Sequence, residues 1–453
     1  MTKTQISVPT QTRARFGGAL LQPSDDGYDD ARRIHNGMID KRPGLIARCS
    51  STADVVEAVG IGRRAGVEVA VRGGGHNVAG KAVTDGGLMI DLAPMRAVDV
   101  DPTSRTVRAE AGVTWGELND AAAMHGLATT GGQVSTTGVA GLTLGGGLGY
   151  LMGKHGLAAD NLISAEVVTA AGDVLTASEA DNEELFWAIR GGGGNFGVVT
   201  AFTFRVHPLT TVLGGILAHP LAAGAEAFDA FRKFTAEASD DVGIACGLVH
   251  APDGSGQKIA AMPLCHAADD EQRAAAELKP LRAFGPPVLD VVDTMPYPVV
   301  NTLLDGGFPK GALSYWKSAF LTELSDELIS TLVNAYTQVP SPMSALIVEH
   351  LHGAATRVDP TATAYPHRQA GYNVLVIAQW ADPADTQANI GWARTTFDSL
   401  RPYLTDRRYM NYMSADDAGF VREAYGANYD RLVAAKRMYD PGNLFRLNQN
   451  IAP

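Results

Sequence analysis

Regular patterning begins at residues 44–71. "GLIARC" is an apolar run short enough for a buried strand, and "VEVAV" is a second run of strand formers. Between them Val55, Val56 and Val59 give a helix an apolar side. Ser51 and Thr52 suit its N-cap, Asp54 its first turn and Gly66 its stop. "GLMIDL" predicts a further strand, "AVDVDPTSRTVRAEAG" strands around a turn at Pro102, and "TWGELNDAAAMHG" a helix. A hairpin over "ISAEVVTAAGDVLTAS", a helix over "NEELFWAIRG" and a strand over "GVVTAFTFRVHPL" follow. From about residue 211 the texture changes. Alanine-rich helical patterns ("AGAEAFDAFRKFTAEAS", "ADTQANIGWARTTFDSLRPYL") alternate with single strands ("DVGIACGLVHA", "SALIVEHLHGA", "YNVLVIAQW"). After about 409 comes an aromatic, asparagine-rich segment with one helix, "NYDRLVAAKRMYD". The fold class expected is α+β, divided at 1–208, 209–408 and 409–453.

Glycine interrupts this pattern in clusters. "VEVAVRGGGHNVAGKAV" nearly matches a P-loop, with Gly75, Gly80 and Lys81 correctly spaced. Ala82 stands where a hydroxyl would bind magnesium, and the chain continues into a turn and a strand rather than a helix, both of which argue against a nucleotide triphosphatase. Gly192, Gly194 and Gly197 form a literal G-x-G-x-x-G, but with a helix before and a strand after, the reverse of a dinucleotide-binding turn. Residues 129–162 hold the densest cluster, interleaved with Val139, Leu142, Leu144 and Leu148. Glycine costs about 0.5–1 kcal/mol against alanine inside a regular element. So many glycines in an apolar context predict backbone lining an extended ligand, and the loop at 73–76 suits an anion.

Composition narrows the classes. The chain has 453 residues, 45% hydrophobic and 19% charged, as expected of a globular protein with a large core. A net charge of −12 argues against nucleic acid or an anionic membrane as partner. Cys49, Cys246 and Cys265 show neither zinc nor disulfide spacing, which suits a reducing compartment, the cytoplasm. "MTKTQISVPTQTRARFGGAL" lacks a signal-peptide core, and no apolar run is long enough to span a membrane.

Four segments then carry a resemblance: "RGGGHNVAG", "GVAGLTLGGGLGYLMGKHGLAADN", "ELFWAIRGGGGNFGVVT" and "YDPGNLFRLNQNI". In this order they resemble the berberine-bridge-enzyme-like FAD-linked oxidases of the vanillyl-alcohol-oxidase (PCMH) type, from about residue 40 onward. The pattern is most similar to the bacterial, singly tethered branch that includes 6-hydroxynicotine oxidase. The resemblance implies a two-part FAD-binding module embracing an inserted α+β substrate domain. It implies that Arg72, Gly73, Gly74, Gly75, His76 and Asn77 wrap the FAD pyrophosphate, with His76 bonded covalently to the flavin. Gly132, Val134, Thr137, Gly138 and Gly141 would continue the cofactor path, with Gly145, Gly146, Gly149, Asn161 and Val199. Asn411 and Asn448 would reach it from the closing segment. Val134 aligns where doubly tethered relatives have a cysteine, so a single link through His76 is expected. Leu148 replaces a frequent tyrosine, which weakens any transfer of a sugar-oxidase mechanism. Thr137 lies where the family tunes oxygen access.

"YMNYMS" resembles the family's Y-x-N-Y segment, and Tyr409 and Tyr412 are the candidate bases that take a substrate proton as hydride leaves for the flavin. Ionising a free tyrosine at pH 7 costs roughly 4 kcal/mol, so a neighbouring cation or concerted transfer is required. Strand alternation in "ALIVEHLHGAATRV" puts Leu346, Val348, His350 and His352 on one face and Ala345, Ile347, Glu349 and Leu351 on the other, leaving open which face covers the flavin. No metal is expected, since His350 and His352 lack a third ligand. Trp316, Trp380, His367 and Arg368 read as structural. The function implied is an FAD-dependent oxidase acting on a small-molecule C–H beside O or N, an alcohol, sugar or cyclic amine, with oxygen as acceptor, in a monomer or homodimer. A flavin dehydrogenase and a flavin-bearing binding protein are the alternatives.

Overall fold

The structure is a computed structural model describing residues 6–453; the stretch read above as lacking a signal-peptide core begins in residues 1–5, which lie outside the described residues. Two sheets come from the first part of the chain. In the four-stranded sheet, Leu45–Arg48 and Val69–Arg72 both run parallel to the central strand Leu88–Asp91. The helix Thr52–Ala65 makes the crossover from Leu45–Arg48 to Val69–Arg72, as the apolar spacing predicts. Ser51 Oγ accepts from Asp54 N, and Gly66 closes the helix at φ 62°. The second sheet is antiparallel and five-stranded, with Val198–Arg205 at its centre between Thr106–Glu110 and Leu162–Val168. The helix Trp115–Ala123 packs beside it, its first turn fixed by Glu117, whose Oε2 accepts from Thr114 N at 2.9 Å.

The glycine-rich stretch is not continuous loop. It contains the short helices Val139–Leu144 and Met152–His155, threaded between loops whose backbones nearly touch. A Cβ on Gly74 would stand 2.4 Å from Gly138 N, and one on Gly149 would stand 1.9 Å from Gly131 O. These glycines serve chain-to-chain approach.

An antiparallel sheet with a seven-strand path follows, in the order Leu289–Asp290, Thr211–Pro220, Lys258–His266, Val242–His250, Ala345–Leu351, Gly371–Trp380, Leu313–Leu321. Asp293–Pro296 pairs with Thr211–Pro220 off this path. Helices Gly224–Thr235, Asp326–Thr337 and Thr386–Leu400 cover one face, where Phe228, Phe231, Leu332 and Phe397 pack on Leu248, Leu346, Val348 and Val376. Three of these strands (Thr211–Pro220, Lys258–His266, Leu313–Leu321) and two helices (Glu271–Ala283, Asp326–Thr337) were not foreseen from the sequence.

The segment after residue 408 returns to the first part of the chain. Lys436 Nζ donates to Asp440, to Asn195 O at 2.7 Å and to Phe445 O at 3.0 Å, all in the interior. Asn195 Nδ2 donates to Gln449 O at 3.1 Å, and Asn195 Oδ1 accepts from Ile451 N at 3.0 Å. Lys317, on the sheet's edge strand, holds Asp416 and Asp417 at 2.8 and 2.6 Å. No helix among the described residues is long and apolar enough to cross a membrane.

Candidate active site

A cavity of about 600 Å³ lies between the glycine loops and the uncovered face of the large sheet. One wall is the strand end and loop Gly73–Asn77, with Gly132, Val134, Thr137, Gly138 and Gly141 beside it. Gly193, Gly194, Gly197 and Val199 form a further part, and Asn411, Asn448 and Gln449 reach it from the returning segment.

His76 stands at this wall, its Nε2 3.0 Å from Thr136 Oγ1 and its ring tilted by 32° against His35, with centroids 4.0 Å apart. His35 N donates to Gly75 O at 3.0 Å and its Nε2 lies 3.0 Å from Phe308 O, so the second ring is clamped. Burial, and then the neighbouring His35, lower the His76 pKa to about 3. The imidazole is neutral at physiological pH and keeps a nucleophilic lone pair.

The residues fit FAD. Gly141 and Gly194 have open space where a Cβ would stand. Asn448 Oδ1 and Gln449 Nε2 are buried at the cavity without partners, the mark of polar groups that a ligand completes. Lys81, the P-loop-like lysine, spends its ammonium on the returning segment, on Asn448 O and on Gln449 Oε1 at 3.1 Å.

Several expected contacts are not at the cavity wall. The Arg72 guanidinium is tied to Asp91 at 2.6 Å. Gly145 packs on Asn411 and Gly146 on Tyr365, each with no room for a Cβ. Gly149 abuts Gly131. Asn161 Nδ2 donates to His155 O and Leu157 O, both at 2.9 Å, and its Oδ1 meets His207 Nε2 at 2.8 Å. Those side-chain and packing roles account for these residues without a ligand.

The two tyrosines also part company. Tyr409 Oη is buried behind the wall, approached by Gly147 N at 3.2 Å, Leu148 N at 3.3 Å and Asn411 Nδ2 at 2.9 Å. Burial pushes its pKa up to about 12 despite those donors. Tyr412 faces the cavity and donates to Glu349 Oε1 at 3.1 Å. Burial, and then the charge of Glu349, push its pKa far above 10. Neither tyrosine has the neighbouring cation that ionisation would require.

Glu349 is the group that sequence reasoning passed over. It sits on the cavity face of Ala345–Leu351, beside Ile347 and Ala345, while Leu346 and Val348 face the helices. Asn373 Nδ2 donates to its Oε2 at 3.0 Å. Burial raises its pKa to about 7, against which the bonds from Asn373 and Tyr412 act weakly. The signal was available in the strand alternation, which put Glu349 on one face but did not say which face was enclosed. Trp316, expected to be structural, also lines the cavity, edge-on to Phe308 and Tyr412 with centroids at 6.0 and 5.8 Å. His350 and His352 stack at 4.2 Å on the opposite face, with His352 Nε2 against Ser239 O at 3.3 Å.

Comparison with known proteins agrees with this geometry. Residues 43–178 match the FAD binding domain model and residues 408–452 the berberine and berberine-like model. An FAD-linked oxidoreductase of Dictyostelium discoideum is 31% identical over 96% of this chain and 95% of its own. (R)-6-hydroxynicotine oxidase of Paenarthrobacter nicotinovorans is 32% identical over 99% of both chains. The crystal structure of 6-hydroxy-D-nicotine oxidase from Arthrobacter nicotinovorans superposes with a TM-score of 0.88 at 30% identity, covering 99% of this chain and 100% of that one. These matches run along whole relatives, and the chain belongs to the berberine-bridge-like FAD-linked oxidoreductases with a PCMH-type FAD-binding fold.

Proposed function

We propose that this protein is an FAD-dependent oxidase that removes a hydride from a small-molecule C–H beside oxygen or nitrogen, with molecular oxygen as final acceptor and hydrogen peroxide as product. One observation carries the reading: a single cavity has His76 in its glycine wall and, on the facing side, the buried Glu349 bonded to the half-buried Tyr412. In this reading residues 1–208 and 409–453 hold the cofactor and 209–408 cover the substrate. Bound there, FAD supplies the two-electron acceptor. Gly73–Asn77 receive its pyrophosphate through backbone N–H groups. His76 forms the one covalent link, because Val134, at the position aligned with a second tether, cannot form a thioether. Glu349 takes the substrate's O–H or N–H proton. A carboxyl with a pKa of about 7 is close to half ionised at neutral pH, the poise that general-base transfer favours. Tyr412 orients it and supports its ionised form.

Relatives named as oxidases of 6-hydroxynicotine support the nitrogen branch of this reading. The buried, unpaired thiols of Cys49, Cys246 and Cys265 support a reducing compartment. The test is anaerobic mixing with a panel of alcohols, amines and sugars, followed by air. An oxidase bleaches with one of them and recovers its yellow absorbance within seconds, forming peroxide. Recovery over minutes that a quinone accelerates identifies a dehydrogenase instead, and the absence of bleaching by every compound identifies a binding protein.

A further inference from the structure

The face of the large sheet that closes the cavity is almost without hydrogen-bonding capacity. Ala245, Val249, Ala261, Ile347, Leu375 and Ile377 are typical of it. Among the strand positions of the large sheet that line the cavity, only Glu349, Gln379, His250 and Trp316 carry polar side-chain atoms. Each is engaged within the protein through at least one of those atoms. Gln379 Nε2 donates to Gly307 O at 3.0 Å, and His250 Nδ1 meets Tyr336 Oη at 3.0 Å. Glu349 is held by Asn373 and Tyr412. One corner is aromatic: Phe308, Trp316 and Tyr412 stand edge to face, and Trp316 satisfies its own N–H on Ser314 Oγ at 2.6 Å.

We infer that the substrate is a hydrophobic, ring-bearing molecule with a single polar, oxidisable end, and that polyhydroxylated substrates are rejected. The inference rests on the function proposed above for the identity of the reacting end. The physical reason is one of pairing. A ring with one polar end sets its flat face in the aromatic corner and its reacting group against Glu349. A sugar brings a hydroxyl on nearly every carbon. Each one enclosed against isoleucine, leucine or valine leaves water and finds no partner. An apolar pocket discriminates against one added hydroxyl by about 100-fold, so several unpaired hydroxyls together are expected to reach at least that factor.

The experiment uses the FAD-loaded protein, anaerobically, with two readouts in one cuvette. A shift of the flavin absorption bands reports binding, and bleaching reports oxidation. Benzylic and cyclohexylmethyl alcohols and the corresponding ring-bearing amines are compared with glucose, cellobiose and chitobiose. The expected result is binding at least 100-fold tighter for the ring-bearing set, with bleaching confined to it. Binding of that set without bleaching keeps the inference and removes the oxidation reading. Tighter binding or faster bleaching by any sugar overturns the inference, as does failure of every ring-bearing compound to bind. Trp316→Ala provides the internal check: affinity for the ring-bearing set falls at least 10-fold, while the flavin that stays with acid-precipitated protein is unchanged.

Discussion

Replacing Glu349 by glutamine tests the site most directly. The side chain keeps its shape, and its carbonyl still accepts from Asn373 or Tyr412, but it can neither ionise nor take a proton. Burial raises the wild-type carboxyl from 4.5 to about 7, which corresponds to ~3 kcal/mol favouring its protonated form. Below 4.5 the group is protonated in both folded and unfolded chains, and its contribution to stability is fully present. As pH rises the unfolded chain ionises first, and that contribution is lost until about 7, beyond which both states are ionised. Wild type therefore loses up to ~3 kcal/mol across this window and Glu349→Gln does not. Chemistry moves the other way. Flavin reduction in wild type rises with pH around 7 as the carboxylate forms, and Glu349→Gln lowers it by roughly 10²–10⁴ and flattens the profile. Anaerobic stopped-flow reduction between pH 5.5 and 9, with thermal unfolding of both proteins at pH 4.5 and 9, reads both effects. Reduction by Glu349→Gln within threefold of wild type, with the same pH profile, would falsify the assignment of Glu349 as proton acceptor.

His76→Ala still binds FAD through the glycine backbone, but acid precipitation sends all its yellow colour into the supernatant, whereas wild type retains it; colour released from wild type refutes the tether. Tyr412→Phe removes a hydrogen bond that favours the carboxylate, so the pH midpoint of flavin reduction moves above about 7 and the neutral rate falls; an unchanged midpoint sets aside the Tyr412–Glu349 coupling. Tyr409→Phe leaves Gly147 N and Leu148 N facing a buried ring edge and costs about 1–3 kcal/mol in denaturant unfolding with little change in the reduction step; the reverse pattern makes Tyr409 the base. Thr137→Leu slows re-oxidation by air of dithionite-reduced protein without slowing reduction by substrate, and equal rates show that position 137 does not gate oxygen.

What the sequence disclosed and what it withheld divide along physical lines. The helix from Thr52 was legible because cap, apolar stripe and stop agree locally. The two glycine decoys were legible as decoys, because element order is itself a local property. Thr211–Pro220 and Lys258–His266 were not, since both faces of these strands are enclosed, one by helices and one by the cavity, and their apolar runs do not alternate. The enclosed face of Ala345–Leu351 depends on where Phe228, Leu332 and Phe397 pack, far away in the chain. Tyr409 and Tyr412 looked equivalent in "YMNYMS", but the single turn Met410–Tyr412 sends one behind the wall and the other into the cavity. Asn161 belonged to a motif whose residues carry structure as well as ligand, and sequence alone does not separate the two.

The returning segment also sets an order of events during synthesis. A nascent chain emerges from the ribosome N-terminus first, and units fold as they appear. The loop of His76 and the large sheet are both made before residue 381, yet Asn411 and Tyr412 arrive later, and Asn195 waits some 250 residues for Gln449 and Ile451. Until then Asn195 lacks these partners, Lys317 has no carboxylates from 416 and 417, and the wall that Asn411 and Asn448 complete stays open to water. On the reading proposed above, FAD is expected to be retained only after the segment from residue 409 has been made, and a chain cut short before it is expected to leave the ribosome without flavin.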